Sequence, residues 1–170
     1  GFAESGTRRG VRIRDVPKNT TSTWTDEIAE DRYVIDDGDT LIGMDGDFHM
    51  CIWADGLAYL NQRVARIRTQ GELAQLHLHL ALEAPIKRFN ETIIGTTVAH
   101  LGKRHLEEIH IPLPNQLVAV EASRVFEAIQ GLQQRLRQTN TRLIEARGLL
   151  LPRLVSGDLD ISDLDLDLEA

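Results

Sequence analysis

The pattern of apolar and polar positions changes character once along the chain, near Pro112 and Pro114. Before that point it is mixed. Val11-Arg12-Ile13-Arg14-Asp15-Val16 alternates apolar with polar, the period-two signature of a half-buried strand. Thr40-Leu41-Ile42 and His49-Met50-Cys51-Ile52-Trp53 predict two short strands around a turn at Asp45-Gly46-Asp47. Arg63 to Arg68 alternates again. Glu72 to Asn90 places Leu73, Leu76, Leu80, Ile86 and Phe89 at helical spacing, with Pro85 expected to kink or end the helix. Ile109 and Ile111 predict one last strand. Short strands with few helices make this an α+β domain.

After Pro114 the period is that of a coiled coil. Val118, Ala122, Val125, Ile129, Leu132, Leu136, Thr139, Leu143, Ala146 and Leu150 step alternately by four and three, a heptad seam unbroken from end to end. Such a helix is ~50 Å long. Pro114 is expected to open it and Pro152 to close it. A two-position stripe is narrower than the face of a helix packed on its own domain, so the seam predicts a protruding helix that needs a partner: another copy, another protein, or a further part of the same chain. The expected organisation is therefore a domain over residues 1–113, a long helix over 114–157 and an acidic tail over 158–170.

Composition narrows the function classes. The 170 residues carry a formal charge of −7, with 42% hydrophobic and 26% charged residues, ordinary for one globular domain. No apolar run approaches the length of a membrane-crossing helix, so no membrane span is expected, and Gly1 to Arg9 lacks the apolar core of a signal peptide. The single cysteine, Cys51, excludes a disulfide framework and points to a reducing, cytoplasmic setting. The absence of an initial Met suggests a piece of a longer chain. The acidity is unevenly spread. Six acids sit between Asp158 and Ala170, and without them 20 acids face 19 bases. Residues 26–55 hold ten acids and one base, whereas residues 1–25 hold five bases and two acids. A basic face opposite an acidic one is compatible with DNA despite the net charge.

Catalytic patterns are missing. No Gly-x-Gly-x-x-Gly occurs, and Gly95 to Lys103 fails the phosphate-loop spacing, with His100 where glycine is required and Arg104 after the lysine. No Pro-Pro pair of the amino-methyltransferase type is present. The six histidines, His49, His77, His79, His100, His105 and His110, show no metal-ligand spacing. Counting a calcium loop from Asp158 puts Asp163 where glycine is needed. Asp36, Asp37, Asp39, Asp45 and Asp47 are expected to be turn residues that bond their own backbone. Neither a metal nor a cofactor is predicted.

Five ordered pieces carry a family resemblance. They are Gly10-Val11-Arg12-Ile13-Arg14-Asp15-Val16; Asp37-Gly38-Asp39-Thr40-Leu41-Ile42 with Gly46; Leu60-Asn61-Gln62-Arg63-Val64-Ala65-Arg66-Ile67; Gly95-Thr96-Thr97 leading to Ile109-His110-Ile111-Pro112-Leu113-Pro114; and Arg147-Gly148-Leu149-Leu150-Leu151-Pro152-Arg153-Leu154-Val155-Ser156-Gly157. Together they resemble one half of the specificity subunit of type I restriction-modification systems, from about residue 6 to 159. After Pro114 only Gln116 remains of the family's usual helix opening, a departure from the pattern.

The resemblance implies a non-catalytic subunit in which two target recognition domains, each followed by a long helix, read a split double-stranded DNA target. The helices pair as an antiparallel coiled coil, and methyltransferase (M) and restriction (R) subunits dock on the assembly. With one domain and one helix, this chain would be a fragment, or a half-subunit that forms a homodimer through the seam. Polar loops beside basic strands are the first candidates for DNA contact: Arg8, Arg9, Arg14, Lys18, Asn19, Thr20 and Thr21, then Thr96, Thr97, His100, Lys103, Arg104 and His105, with Asn61, Gln62 and Arg63 ranked after them. An ordinary polar loop has the same composition. The acidic balance equally fits a coiled-coil protein-interaction module that binds no DNA.

Overall fold

The computed structural model describes residues 3–71, 73–93 and 100–159. It is an α+β structure of seven short strands and three helices: β1 (Arg8–Val11), β2 (Trp24–Thr25), β3 (Val34–Ile35), β4 (Thr40–Gly43), β5 (Met50–Ile52), β6 (Ala58–Leu60), β7 (Val64–Ile67), α1 (Gln75–Ile93), α2 (Lys103–Glu107) and α3 (Gln116–Ser156). One sheet has the order β2-β1-β6-β3, with β1 and β6 parallel and the other pairs antiparallel. The second has the order β5-β4-β7, antiparallel throughout.

β4 explains why the fold has two cores. All four of its residues are buried, and successive side chains leave a strand on opposite faces. Leu41 enters a cluster with Val11, Val16, Ile35, Trp53, Ala58 and Val64. Ile42 enters another with Phe48, Leu78, Leu82, Ile86 and Leu101, the side covered by α1. The fully buried Thr40 hydroxyl accepts a hydrogen bond from Gln75 Nε2 at 2.8 Å, and the same amide donates to Ile67 O. The first residue of α1 is thereby tied to β4 and β7.

Three expectations shift. The Val11–Val16 alternation contains the end of β1 and then a 3₁₀ turn over Ile13–Asp15, because the Asp15 carboxylate accepts the Arg12 N–H at 2.9 Å and closes the backbone. Val11 and Val16 reach the same core from either side of that turn. Ile109 and Ile111 belong to no strand; they pack against the second core from irregular backbone. Pro85 does not end α1, since Leu78, Leu82 and Ile86 on both sides of it are held by one core, which offsets the lost backbone bond.

Pro152 likewise lies inside α3. The helix instead stops at Gly157, whose φ of +78° favours glycine, with its N–H donating to Leu154 O at 3.3 Å. The chain falls into two compact units, Gly1–Gly131 and Leu132–Ala170. Within the first, α3 packs through the buried Ser123, whose hydroxyl accepts the Ala74 N–H at 3.1 Å, and through Phe126 beside the His77 ring. In the second, Leu132, Leu136, Leu143 and Leu150 are between 46% and 61% exposed. Most of the acidic tail lies outside the described residues.

His79 sets an acid limit on this fold. Its side chain is 13% exposed, and its Nδ1 has no hydrogen-bond partner among the described residues. Burial lowers its pKa below the ordinary histidine value, opposed weakly by Glu83 at 3.9 Å. The unfolded chain therefore takes up this proton first as pH falls through about 6.5. The contribution is complete above that pH and is lost below it. The urea midpoint is expected to fall from about pH 7.5 to about pH 5.5, and to fall less in His79→Leu. An identical drop in both proteins would remove His79 as the cause.

Candidate nucleic-acid interface

The Arg8–Thr23 segment is fastened to residues 52–55. Asn19 takes a left-handed backbone (φ +53°), a conformation asparagine tolerates. Its Nδ2 donates to Ile52 O at 2.8 Å, and its Oδ1 accepts the Ala54 N–H at 3.2 Å. Asp55 accepts from the Thr20 hydroxyl at 2.9 Å and the Thr21 N–H at 3.0 Å, and pairs with Arg9 Nη1 at 2.8 Å. Arg9 also donates to the Asp55 carbonyl. The Thr21 hydroxyl is buried, 2.9 Å from Gly10 O and 3.0 Å from Asp15 Oδ2. Four of the seven predicted contact residues in this segment thus hold the segment itself. Arg8, Arg14 and Lys18 are exposed, and their side chains have no partner among the described residues.

The second candidate segment divides similarly. Thr96 and Thr97 lie outside the described residues. His105 is half-buried: its Nδ1 accepts the Gly102 N–H at 3.0 Å, and its ring lies 5.6 Å from that of Phe89. Lys103 pairs with Glu107 at 3.4 Å and Arg104 with Glu108 at 3.1 Å, both one helical turn apart and exposed. Exposed pairs of this kind are weak, so both cations remain available to a stronger anion.

The segments meet at Asp45, which the sequence marks only as a turn residue. The Met44 N–H donates to Arg63 O at 2.9 Å, and the Leu101 N–H donates to Met44 O at 2.7 Å. Asp45 and His100 form an isolated antiparallel bridge. The Asp45 carboxylate lies 2.6 Å from His100 Nδ1 and 3.2 Å from Arg63 Nη1. Beside it a shallow groove of about 300 Å³ is lined by Ile13, Arg14, Pro17, Asp45, Asp47 and His49. The structure therefore brings His100 of the second candidate segment and Arg63 of the third to a single carboxylate, with Arg14 of the first lining the adjoining groove. Partners this far apart along the chain leave no local signal, so pattern reading does not find this cluster.

Asp39 acts within the fold. It accepts the Asp36 N–H at 2.8 Å and binds Arg68 through Nε and Nη2, and that hydrogen bonding raises the Arg68 pKa further. Among the described residues no group of three His, Cys, Asp or Glu side chains is placed to hold a metal ion, and no helix is long and apolar enough to cross a membrane.

Two comparisons bear on this arrangement. The sequence profile of a family described as the type I restriction modification DNA specificity domain matches residues 10–139. The specificity subunit of the type I restriction enzyme EcoBI from Escherichia coli is 32% identical over 160 residues, covering 91% of this chain. The chain spans 34% of the length of that relative.

Proposed function

The chain belongs to the type I restriction-modification DNA specificity family, and from that premise we propose that it recognises one half of a bipartite double-stranded DNA target without catalysing a reaction. Residues 1–113 are the target recognition domain, residues 114–157 a coiled-coil helix, and residues 158–170 an acidic tail. Two helices pair in antiparallel fashion through Val118, Ala122, Val125, Ile129, Leu132, Leu136, Thr139, Leu143, Ala146 and Leu150. The resulting homodimer scaffolds the methyltransferase and restriction subunits in the cytoplasm.

The observation that carries this reading is a 41-residue helix whose seam leaves Val118, Val125, Ile129, Leu132, Leu136, Leu143 and Leu150 between 42% and 61% exposed. Such a helix is ~60 Å long, enough to separate two domains by between one and two turns of B-DNA at 34–36 Å each. Two identical copies related by a two-fold axis would read inverted half-sites.

The test is duplex binding over a salt series. A DNA-reading domain loses affinity log-linearly with salt. If Lys103 and Arg104 each neutralise a phosphate, Lys103→Ala with Arg104→Ala lowers the slope by about two. A slope that does not change places the footprint elsewhere on the domain. Binding with no salt dependence would turn the reading to a coiled-coil interaction module.

A further inference from the structure

An acid at the meeting point of three candidate DNA-contact segments is electrostatically out of place, because a carboxylate there repels phosphate. Its geometry gives it another role. We infer that Asp45 is a positioning residue that holds the Arg63 guanidinium to read guanine in the major groove. This rests on the DNA-recognition reading above and names one base-reading residue within it.

The backbone around Asp45 is fixed without its side chain. Met44 is bonded to Arg63 O on one side and to Leu101 N on the other, and Leu101 is fully buried in the second core. The carboxylate adds a side-chain clasp across the same three segments. His100 Nδ1 approaches Oδ1 at 2.6 Å, and Arg63 Nη1 lies 3.3 Å from Oδ1 and 3.2 Å from Oδ2. Two donors from opposite neighbours thus share one carboxylate, which restrains both side chains while leaving each about half exposed, at 51% for Arg63 and 48% for His100.

The edge that Arg63 uses separates it from Arg68 and Arg9, which carboxylates also hold. Arg68 spends Nε and Nη2 on Asp39, and Arg9 spends Nη1 and Nη2 on Asp55. Both have committed a two-donor edge to the protein. Arg63 commits Nη1 alone, and its Nε and Nη2 have no partner among the described residues. That remaining edge is a planar pair of donors, the shape that meets O6 and N7 of guanine together. Holding an arginine by one nitrogen restricts its rotamers before DNA arrives, so less entropy is lost on contact.

The experiment uses the full chain and duplexes selected by it from a random-sequence pool, each compared with a shuffled duplex at fixed salt. Asp45→Asn and Arg63→Gln are each expected to shrink the preference for the selected duplex about tenfold or more. Asp45→Asn should bind the shuffled duplex as well as wild type or better, since it removes a negative charge. Replacing the selected guanine by 7-deazaguanine should cost wild type a similar factor and Arg63→Gln nothing.

Parallel weakening on both duplexes, or indifference to 7-deazaguanine, would overturn the inference and make Arg63 a phosphate contact. Arg63→Gln leaves the Asp45–His100 pair in place, so it decides the question even if Asp45→Asn fails to fold. A wild-type chain that selects no duplex at all would refute the DNA reading itself, a result distinct from selection that Asp45→Asn and Arg63→Gln retain.

Discussion

Leu136→Glu is expected to convert a species of about 38 kDa, two copies of the 19.1 kDa chain, into one of about 19 kDa in light scattering. Leu136 sits mid-seam, 58% exposed in the single chain. Pairing would bury it against the seam of a second helix. The substitution forfeits about 2 kcal/mol of apolar burial per copy and adds the cost of desolvating a carboxylate. Both copies carry the change, so the dimer loses about 4–6 kcal/mol, a thousandfold or more in Kd. Glutamate is a good helix former, and helical content should be unchanged by circular dichroism. Gln133→Glu, off the seam on the same helix, should leave the mass at the wild-type value. A wild-type chain that keeps the single-chain mass at every concentration would mean that the seam awaits a different partner.

How much of this was legible in the sequence depended on the length over which a pattern repeats. The heptad seam ran through ten positions, and a continuous helix, α3, carries all of them. β4, β5 and β7 were also legible, because each pairs over three or four residues with a clear apolar run. β2 and β3 have two residues each; a period cannot be seen in so few positions. The prolines misled for a physical reason. Each removes one N–H, but where the surrounding turns are otherwise satisfied the ladder continues, and at the end of α3 the left-handed glycine is the true stop. At the candidate site, basic and polar residue types were legible while their commitments were not. Asn19, Thr20 and Thr21 have the composition of a reading loop, yet their hydrogen bonds go to residues 52–55. Asp45 has the composition of a turn, yet it joins three distant segments.

Trp53→Ala is expected to cost about 3–5 kcal/mol in equilibrium denaturation, a large share of the roughly 5–15 kcal/mol that holds a domain of this size together. Trp53 is fully buried in the first core, and its indole N–H donates to Gly56 O at 2.6 Å. Its backbone is bonded in both directions to the Gly38–Asp39 turn, each at 2.8 Å. That turn favours glycine, for Gly38 has φ +94°, a backbone that L side chains rarely adopt. Trp53→Phe keeps most of the apolar volume and loses the indole donor, so it should cost about 1–2 kcal/mol. The difference between the two variants measures packing separately from the hydrogen bond. The loss should also reach the Arg8–Thr23 segment, because Ile52, Ala54 and Asp55 on either side of Trp53 hold Asn19, Thr20 and Thr21. Amide exchange at residues 19–21 is therefore expected to speed up in Trp53→Ala before global unfolding does, since a segment tethered through a weakened core opens at lower free energy than the whole. Equal acceleration throughout the first unit would mean that the tether is no less stable than the core it hangs from.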